Sequence, residues 1–336
     1  MGYINYKEKK KLEYNPDGSF RKERVLHVPN EKAREAGAHI VRMLVELRDK
    51  DMSDLFSRSA VGGIKGRGLR DNVMPHRKNK HFVMYDLKDA YPNTRIGQLA
   101  SVILRPDLIY SEHELVANRE ELSDNTYRML HDCMLVDEET KEIHGLPQGG
   151  TASPFLLNLS CIPLDEKLDK YCREQNLTYT RFIDDFTISS LEPIGKKRQR
   201  EIKEIITSRP NTIINDKKTR KHSLDNKPVI ITGVSLYPDG RIEMSPPLAR
   251  KIESFYDYVL EAASSGDIDQ LDELWEDENS MRGKINGYHS MIKSFGYTNT
   301  PLHRRLERKY RAALGRWEDS FEVAYKMRRA ETKNLK

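Results

Sequence analysis

The chain has 336 residues, 37% of them hydrophobic and 32% charged, with a formal net charge of +5. That length provides for two or three folding units with ample core, and no apolar run approaches the length needed to cross a bilayer, so a membrane-spanning partner role is not expected. Cys133, Cys161 and Cys172 are odd in number and lack any Cys-x-x-Cys pair; they read as buried small hydrophobes in a reducing cytoplasm, not as a zinc site or a disulfide framework.

Taken in order, residues 1–29 are polar and basic, with no apolar signal core, and Asn15-Pro16-Asp17-Gly18 marks a turn. Apolar residues recur at helical spacing over Glu31–Lys50. A glycine-rich loop follows, Gly62-Gly63-Ile64-Lys65-Gly66-Arg67-Gly68, which closes neither as a P-loop nor as a dinucleotide fingerprint. It is either a flexible basic turn or a loop whose small residues let Lys65 and Arg67 approach phosphate. His81–Asp86 reads as a strand, followed by helical segments to about residue 136. Ser153-Pro154, a hydroxyl cap with proline behind it, opens a helix predicted to run to about Gln175.

Thr178–Ile183 and Phe186–Ser189 are rich in β-branched and aromatic residues and flank Asp184-Asp185, a hairpin pattern. A basic helix near Lys196–Ser208, a strand near Thr212–Ile214, Lys217-Lys218-Thr219 and a strand at Val229–Thr232 complete this region. From Pro246 the pattern is helical only. One stretch there, Glu261–Glu278, holds eight acidic residues and no basic one. From His303 to Lys336 there are 11 Lys/Arg against 5 Asp/Glu, a local +6 (11 minus 5). Such a segment is either a solvated helical face or a track for a phosphate backbone.

The chemistry concentrates in carboxylates. Asp184 and Asp185 stand at a hairpin tip and Asp86 at the end of another strand. Isolated, Asp-Asp is an ordinary polar turn. Brought together, strand-end carboxylates from distant segments are what a two-Mg²⁺ phosphoryl-transfer site needs, because Mg²⁺ takes few protein carboxylates and fills its octahedron with water and phosphate oxygens.

The ordered set Asp86-Leu87-Lys88-Asp89-Ala90-Tyr91, Gly145-Leu146-Pro147-Gln148-Gly149, Phe182-Ile183-Asp184-Asp185 and Lys217-Lys218-Thr219 resembles the palm motifs of reverse transcriptases over about residues 20–300. Asn72-Val73-Met74-Pro75-His76, Ile231-Thr232-Gly233 and Arg282–Tyr288 are similar to segments of the bacterial retron-type branch. Phe182 replaces the usual tyrosine of the Asp-Asp hairpin, and no metal ligand is lost.

The resemblance implies an α+β right-hand polymerase: fingers over 1–80, a palm with a mostly antiparallel sheet and an inserted fingers segment over 81–245, and a helical thumb with a basic C-terminal region over 246–336. It implies RNA-directed DNA synthesis from dNTPs with two Mg²⁺ ions held by Asp86, Asp184 and the carbonyl of Leu87. Asp185, on the opposite side of its strand from Asp184, is a secondary ligand. It makes Tyr91 an aromatic gate against a 2′-hydroxyl, sets Gln148 against the nascent base pair, and makes Lys218 a cation beside the leaving pyrophosphate. Arg24, Lys65 and Arg67 are triphosphate candidates. His76 is either a structural histidine or an RNA contact, and Arg304, Arg305 and Arg308 would meet an RNA–DNA duplex. The same resemblance implies a dedicated non-coding RNA supplying template and primer, and a role in antiphage defence. No nuclease motif is present, so any cleaving activity belongs to a partner effector protein. Untemplated or protein-primed DNA synthesis and a catalytically idle RNA-binding scaffold are the alternatives.

Overall fold

A computed structural model of the chain describes residues 2–14, 20–46, 55–103, 119–225, 227–265, 278–295 and 300–334. The Asn15–Gly18 turn, residues 47–50 of the first expected helix, most of the acidic run (266–277) and the side chain of Arg24 lie outside the described residues.

The chain opens with an antiparallel hairpin, β1 (Tyr6–Tyr14) and β2 (Phe20–Pro29), followed by helix α1 (Glu31–Glu46). A short helix, α2 (Leu69–Val73), leads into β3 (His81–Asp86), and α3 (Ile96–Ile103) and α4 (Arg119–Cys133) follow. Helices α5 (Ser153–Ser160) and α6 (Ile162–Glu174) precede the hairpin β4 (Thr178–Phe182) and β5 (Asp185–Ser190). Helix α7 (Lys196–Thr207) and strand β6 (Arg220–Ser223) come next. The central sheet has the order β4-β5-β3-β6, with every neighbouring pair antiparallel.

Residues Phe82–Asp86 of β3 and Phe186–Ser190 of β5 are buried without alternation. That requires cover on both faces of the sheet; β3 accordingly reads as a continuous apolar run, Phe82-Val83-Met84-Tyr85, whereas β5 buries Thr187, Ser189 and Ser190 along with Phe186 and Ile188. Phe155, Leu156, Leu157 and Leu159 of α5 and Leu164 and Leu168 of α6 belong to the same core as Val83, Tyr85, Phe186 and Ile188.

Three expectations about local structure are corrected. The helix expected over Ser153–Gln175 is two helices, broken at Cys161, because Pro163 in the first turn of α6 has no N–H to continue the ladder. Ala152, not Ser153, is the N-cap residue of α5. Residues 212–214 make only one bridge, Ile214 to Leu87, instead of a strand.

After the strand β7 (Val229–Ile231) the chain enters β8 (Val234–Leu236) and β9 (Ile242–Met244), which pair antiparallel. Among the described residues, helices α8 (Pro246–Ser265), α9 (Glu278–Ser294) and α10 (Pro301–Asn334) follow. The chain divides into two compact units, Met1–Thr232 with Tyr237–Gly240, and Gly233–Leu236 with Arg241–Lys336.

One buried polar network fixes the β4–β5 hairpin. Arg181, on β4, is 0% exposed. Its Nε donates to Asp165 Oδ1 at 2.9 Å and its Nη2 to Asp165 Oδ2 at 2.6 Å. Its Nη1 donates to Asn158 Oδ1 at 2.7 Å and to the carbonyl of Ile183 at 2.8 Å. The Tyr179 hydroxyl completes Asp165 at 2.7 Å. A fork of this kind matches a carboxylate bidentately, so both charges are satisfied out of water.

His76 lies under the same sheet, fully buried, with Nδ1 2.5 Å from Ser189 Oγ and Nε2 2.8 Å from Thr180 Oγ1. Burial pushes its pKa down to about 3.

Two predictions follow from these buried groups. Asp165→Asn leaves the Arg181 guanidinium buried without a counter-charge and lowers unfolding free energy by about 3–5 kcal/mol. The double variant Asp165→Leu/Arg181→Met recovers part of that loss in urea titrations, whereas a single-variant loss below about 1 kcal/mol refutes the clamp. For His76 the folded pKa lies below the unfolded value of about 6.5, so the unfolded chain takes up the proton first. Its contribution is intact above pH 6.5 and falls by about 1.4 kcal/mol per pH unit as pH drops toward 3. His76→Asn removes that slope when urea midpoints at pH 7 and 5.5 are compared; an unchanged slope contradicts the assignment.

Candidate active site

Sheet register, not chance proximity, pairs the carboxylates. Asp86, the last residue of β3, lies directly opposite Asp185, the first of β5. Asp184 occupies the turn just before it, and its carbonyl accepts the Leu87 N–H at 3.0 Å. The turn therefore consists of Ile183-Asp184, one residue earlier than the expected Asp184-Asp185, because Phe182 pairs with Asp185.

This shift forces Ile183 to φ +60°, a conformation a β-branched residue rarely adopts. Two features hold it there. Arg181 Nη1 donates to the Ile183 carbonyl, and the glycine-rich loop packs against it. A Cβ on Gly62 would lie 2.7 Å from the Ile183 nitrogen, and one on Gly63 would lie 2.8 Å from Ile183 Cδ1. The loop is tied down by Val61 N–H to Arg181 O at 2.8 Å, Arg181 N–H to Ser59 O at 2.7 Å, and Asn158 Nδ2 to Gly62 O at 2.8 Å.

The three carboxylates feel each other. Burial raises the pKa of Asp184, and the Asp86 charge pushes it the same way against the pull of Lys218 and Arg181. Asp185 is pushed up to about 6 by burial, then by Asp184 and Asp86, with Arg220 and Lys218 opposing. Lys218 Nζ bonds Asp86 Oδ1 at 2.5 Å. The short turn Asp216–Lys218 sets this lysine, anchored by Lys218 N–H to Asn215 O at 3.0 Å and Asn215 N–H to Asp86 O at 2.8 Å. Asp86 Oδ2 is buried without a partner. Among the described residues no three acidic, imidazole or thiol groups close around a common point. The orphaned oxygen of Asp86, beside two carboxylates with raised pKa, is a donor set that fits a hard divalent cation.

Other expected site residues divide sharply. Leu87 is buried. Tyr91 is half-buried, and its phenol is pushed up to about 12 by burial and then by the Asp184 charge, which sets it beside the carboxylates. Its carbonyl accepts the Leu146 N–H at 2.9 Å, joining it to the loop that carries Gln148. Gln148 is half-buried, with its carbonyl accepting the His27 N–H at 2.8 Å, and Gly149 beyond it has φ +110°. Lys65 is exposed.

Arg67 serves the loop itself: it donates to the carbonyls of Ser57 and Ala60, each at 2.5 Å, and of Phe56 at 3.2 Å. The expectation that His76 contacts RNA is corrected by its complete burial between Ser189 and Thr180, which leaves it the structural role. Within the second unit, Arg304 and Arg308 are exposed and line one groove with His303, Glu307 and Arg311. Arg305 is instead engaged by both carboxylate oxygens of Glu253.

Sequence reasoning overlooked Arg181, Asp165 and Asn158 and misjudged Gly62 and Gly63. The available signal was an arginine inside an otherwise uncharged strand, two residues before the strained Ile183.

The family model described as reverse transcriptase (RNA-dependent DNA polymerase) matches residues 8–236. The retron Ec73 reverse transcriptase of Escherichia coli is 26% identical over 274 residues, covering 77% of each chain. The retron Ec86 reverse transcriptase of the same organism is 26% identical over 202 residues, covering 60% of this chain and 55% of that protein. Among solved structures, apo telomerase from Candida tropicalis aligns with a TM-score of 0.48 and 13% identity, over 96% of this chain and 65% of that chain. The family match spans the antiparallel sheet and its carboxylates, so the architecture is the right-hand polymerase fold. The chain belongs to the reverse transcriptase family of RNA-dependent DNA polymerases.

Proposed function

We propose that this reverse transcriptase is a retron-type enzyme that copies a dedicated non-coding RNA into DNA, using dNTPs and two Mg²⁺ ions, in antiphage defence with a partner effector protein. The observation that supports the chemistry is the register pairing of Asp86 with Asp185, with Asp184 in the adjoining turn and one Asp86 oxygen buried and unpaired. In this reading the first unit provides fingers and palm and the helical second unit the thumb. Similarity to the retron Ec73 and Ec86 enzymes supports the RNA partner and the defence role by analogy alone.

Asp86 and Asp184 hold the ions, with Asp185 and the Leu87 carbonyl as supporting ligands. When bound, the ions supply an activated primer 3′-hydroxyl and charge neutralisation at the departing pyrophosphate. The chain's own residues do the positioning. The carboxylate pKa values are raised first by burial and then by the neighbouring carboxylate charges, and a bound cation would relieve both. Lys218 balances the Asp86 charge and holds protons at Nζ close to where the pyrophosphate leaves. Tyr91 closes the space under the sugar, and Gln148 lies against the base pair with its backbone pinned by His27. Lys65 is free to meet the triphosphate, while Arg67 shapes the loop that presents it. Arg304 and Arg308 face the RNA–DNA duplex.

Primer extension on an RNA template tests this directly. Asp184→Asn is expected to lower the rate by about 10³-fold, the loss of several kcal/mol of charge stabilisation. Undiminished DNA product in that variant refutes the site. RNA binding without DNA synthesis by the native chain, on either a generic template or RNA co-purified from its host, favours an RNA-binding scaffold. Tyr91→Ala is expected to raise rNTP use relative to dNTP by about tenfold or more, the scale of one steric contact; an unchanged ratio measured in separate pools removes Tyr91 from the sugar gate.

A further inference from the structure

Arg209, just beyond α7, is 6% exposed, and its hydrogen-bond partners among the described residues are neutral. Its Nε donates to Ser160 O at 3.4 Å and its Nη2 to Ser160 Oγ and Thr94 Oγ1, both at 2.8 Å. Its Nη1 donates to Thr212 Oγ1 at 2.9 Å. A guanidinium has five N–H donors, so one on Nη1 has no partner among the described residues. Asp165, a buried carboxylate that acts on Arg209, is taken by both arms of Arg181 and by Tyr179. Two buried guanidiniums thus share one carboxylate, leaving a buried positive charge without its counter-ion, a costly arrangement unless an anion answers it. Burial lowers the Arg209 pKa, and the Arg181 charge pushes the same way while Asp165 opposes.

Beside Arg209 is a cavity of about 150 Å³ between α3, the α5–α6 junction and the turn after α7. Its walls include Gln98, Ser101, Ser160, Lys167 and Ser208, and no acidic residue. Lys167 is exposed and makes no ion pair among the described residues. One water needs only about 10–15 Å³ of such space, so the cavity has room for a polyatomic ion. The first turn of α6 contributes Pro163 and Leu164 to the wall.

We propose that this cavity is a binding site for a phosphate group, held by Arg209 and Lys167, separate from the carboxylate site; the wall hydroxyls of Ser101, Ser160 and Ser208 donate instead to the carbonyls of Gln98, Leu157 and Ile205. The phosphate is either a free oxyanion or one unit of a polynucleotide backbone. The site touches the catalytic region through one segment: Arg209 bonds Thr212, and three residues later Asn215 bonds the carbonyl of Asp86.

Orthophosphate, titrated calorimetrically into the full-length protein at constant ionic strength, tests the site. Ser101→Asp places a carboxylate at the exposed cavity wall, and Lys167→Ala removes an exposed cation, so neither disturbs the core. Expected results are saturable binding by the native chain, at least fivefold weaker in Lys167→Ala and undetectable in Ser101→Asp, but retained in Lys218→Ala at the carboxylate site. Absent binding, or equal binding in native and Ser101→Asp proteins, overturns the proposal. A labelled RNA oligonucleotide then separates the sources. Displacement by orthophosphate, with a salt slope smaller by about one in Ser101→Asp, identifies a backbone phosphate. Unaltered RNA binding alongside lost orthophosphate binding identifies a free anion.

Discussion

The Arg181–Asp165 pair is the constraint on which the rest of the active region depends. The Arg181 side chain reaches α5, α6 and the tip of the β4–β5 hairpin together, through Asn158, Asp165 and the Ile183 carbonyl. A buried ion pair adds little net stability over apolar residues of the same shape, because desolvation cancels most of the attraction. Its value here is directional. Apolar packing places a strand to within a rotamer, whereas four hydrogen bonds from one planar group fix a turn carbonyl in orientation as well as position. The left-handed Ile183 is the expense of that placement, and the bare backbone of Gly62 makes room for it.

What the clamp secures is an unfavourable cluster. Asp86, Asp184 and Asp185 stand at adjoining strand ends, partly removed from water, and the two hairpin carboxylates answer with raised pKa values. Such a group relaxes if the backbone can move, because like charges at short range repel more strongly as the surroundings dry. The sheet prevents that motion by register, through Asp86 opposite Asp185, and the Leu87–Asp184 backbone bond closes the end of the ladder. Lys218 offsets part of the charge at one Asp86 oxygen and leaves the other bare. A phosphoryl-transfer site needs this combination of rigid carboxylates and incomplete neutralisation, since full neutralisation by protein groups would leave nothing for a cation to bind.

The legibility of these features in the sequence follows the range of the interactions behind them. Strand β3 was readable because burial on both faces writes a continuous apolar run, β5 because β-branched and aromatic residues stand beside a turn signal, and α1 and α7 because their apolar spacing is local. The pairing of Asp86 with the hairpin came only through resemblance, since register between segments about 100 residues apart leaves no local mark. The turn was misplaced by one residue because Asp-Asp is good turn chemistry and Ile is not; tertiary contacts from Arg181 and Gly62 overrule that preference. The hairpin β1–β2 escaped for the opposite reason. Tyr6-Lys-Glu-Lys-Lys-Lys-Leu-Glu-Tyr has no alternating apolar face, and residues Lys7–Lys10 are exposed.

Charge counting misleads in a related way in the second unit. The local excess of positive charge after His303 invites the reading that every arginine there is available to a phosphate backbone. Arg305 and Lys309 are in fact matched to Glu253 and Asp257, one helical turn apart on each helix, so α8 and α10 run parallel along this seam. On another side His289 bonds Glu307 at 2.8 Å and Arg282 bonds Glu318 at 3.1 Å, and the reversed order of these partners makes α9 antiparallel to α10. Helix α10 therefore spends part of its charge on its own neighbours. Arg304 and Arg308, one turn apart and exposed, carry the excess that remains at its start. The cations left available on this unit are those that lack a carboxylate across the seam, and that selection belongs to helix packing and not to composition.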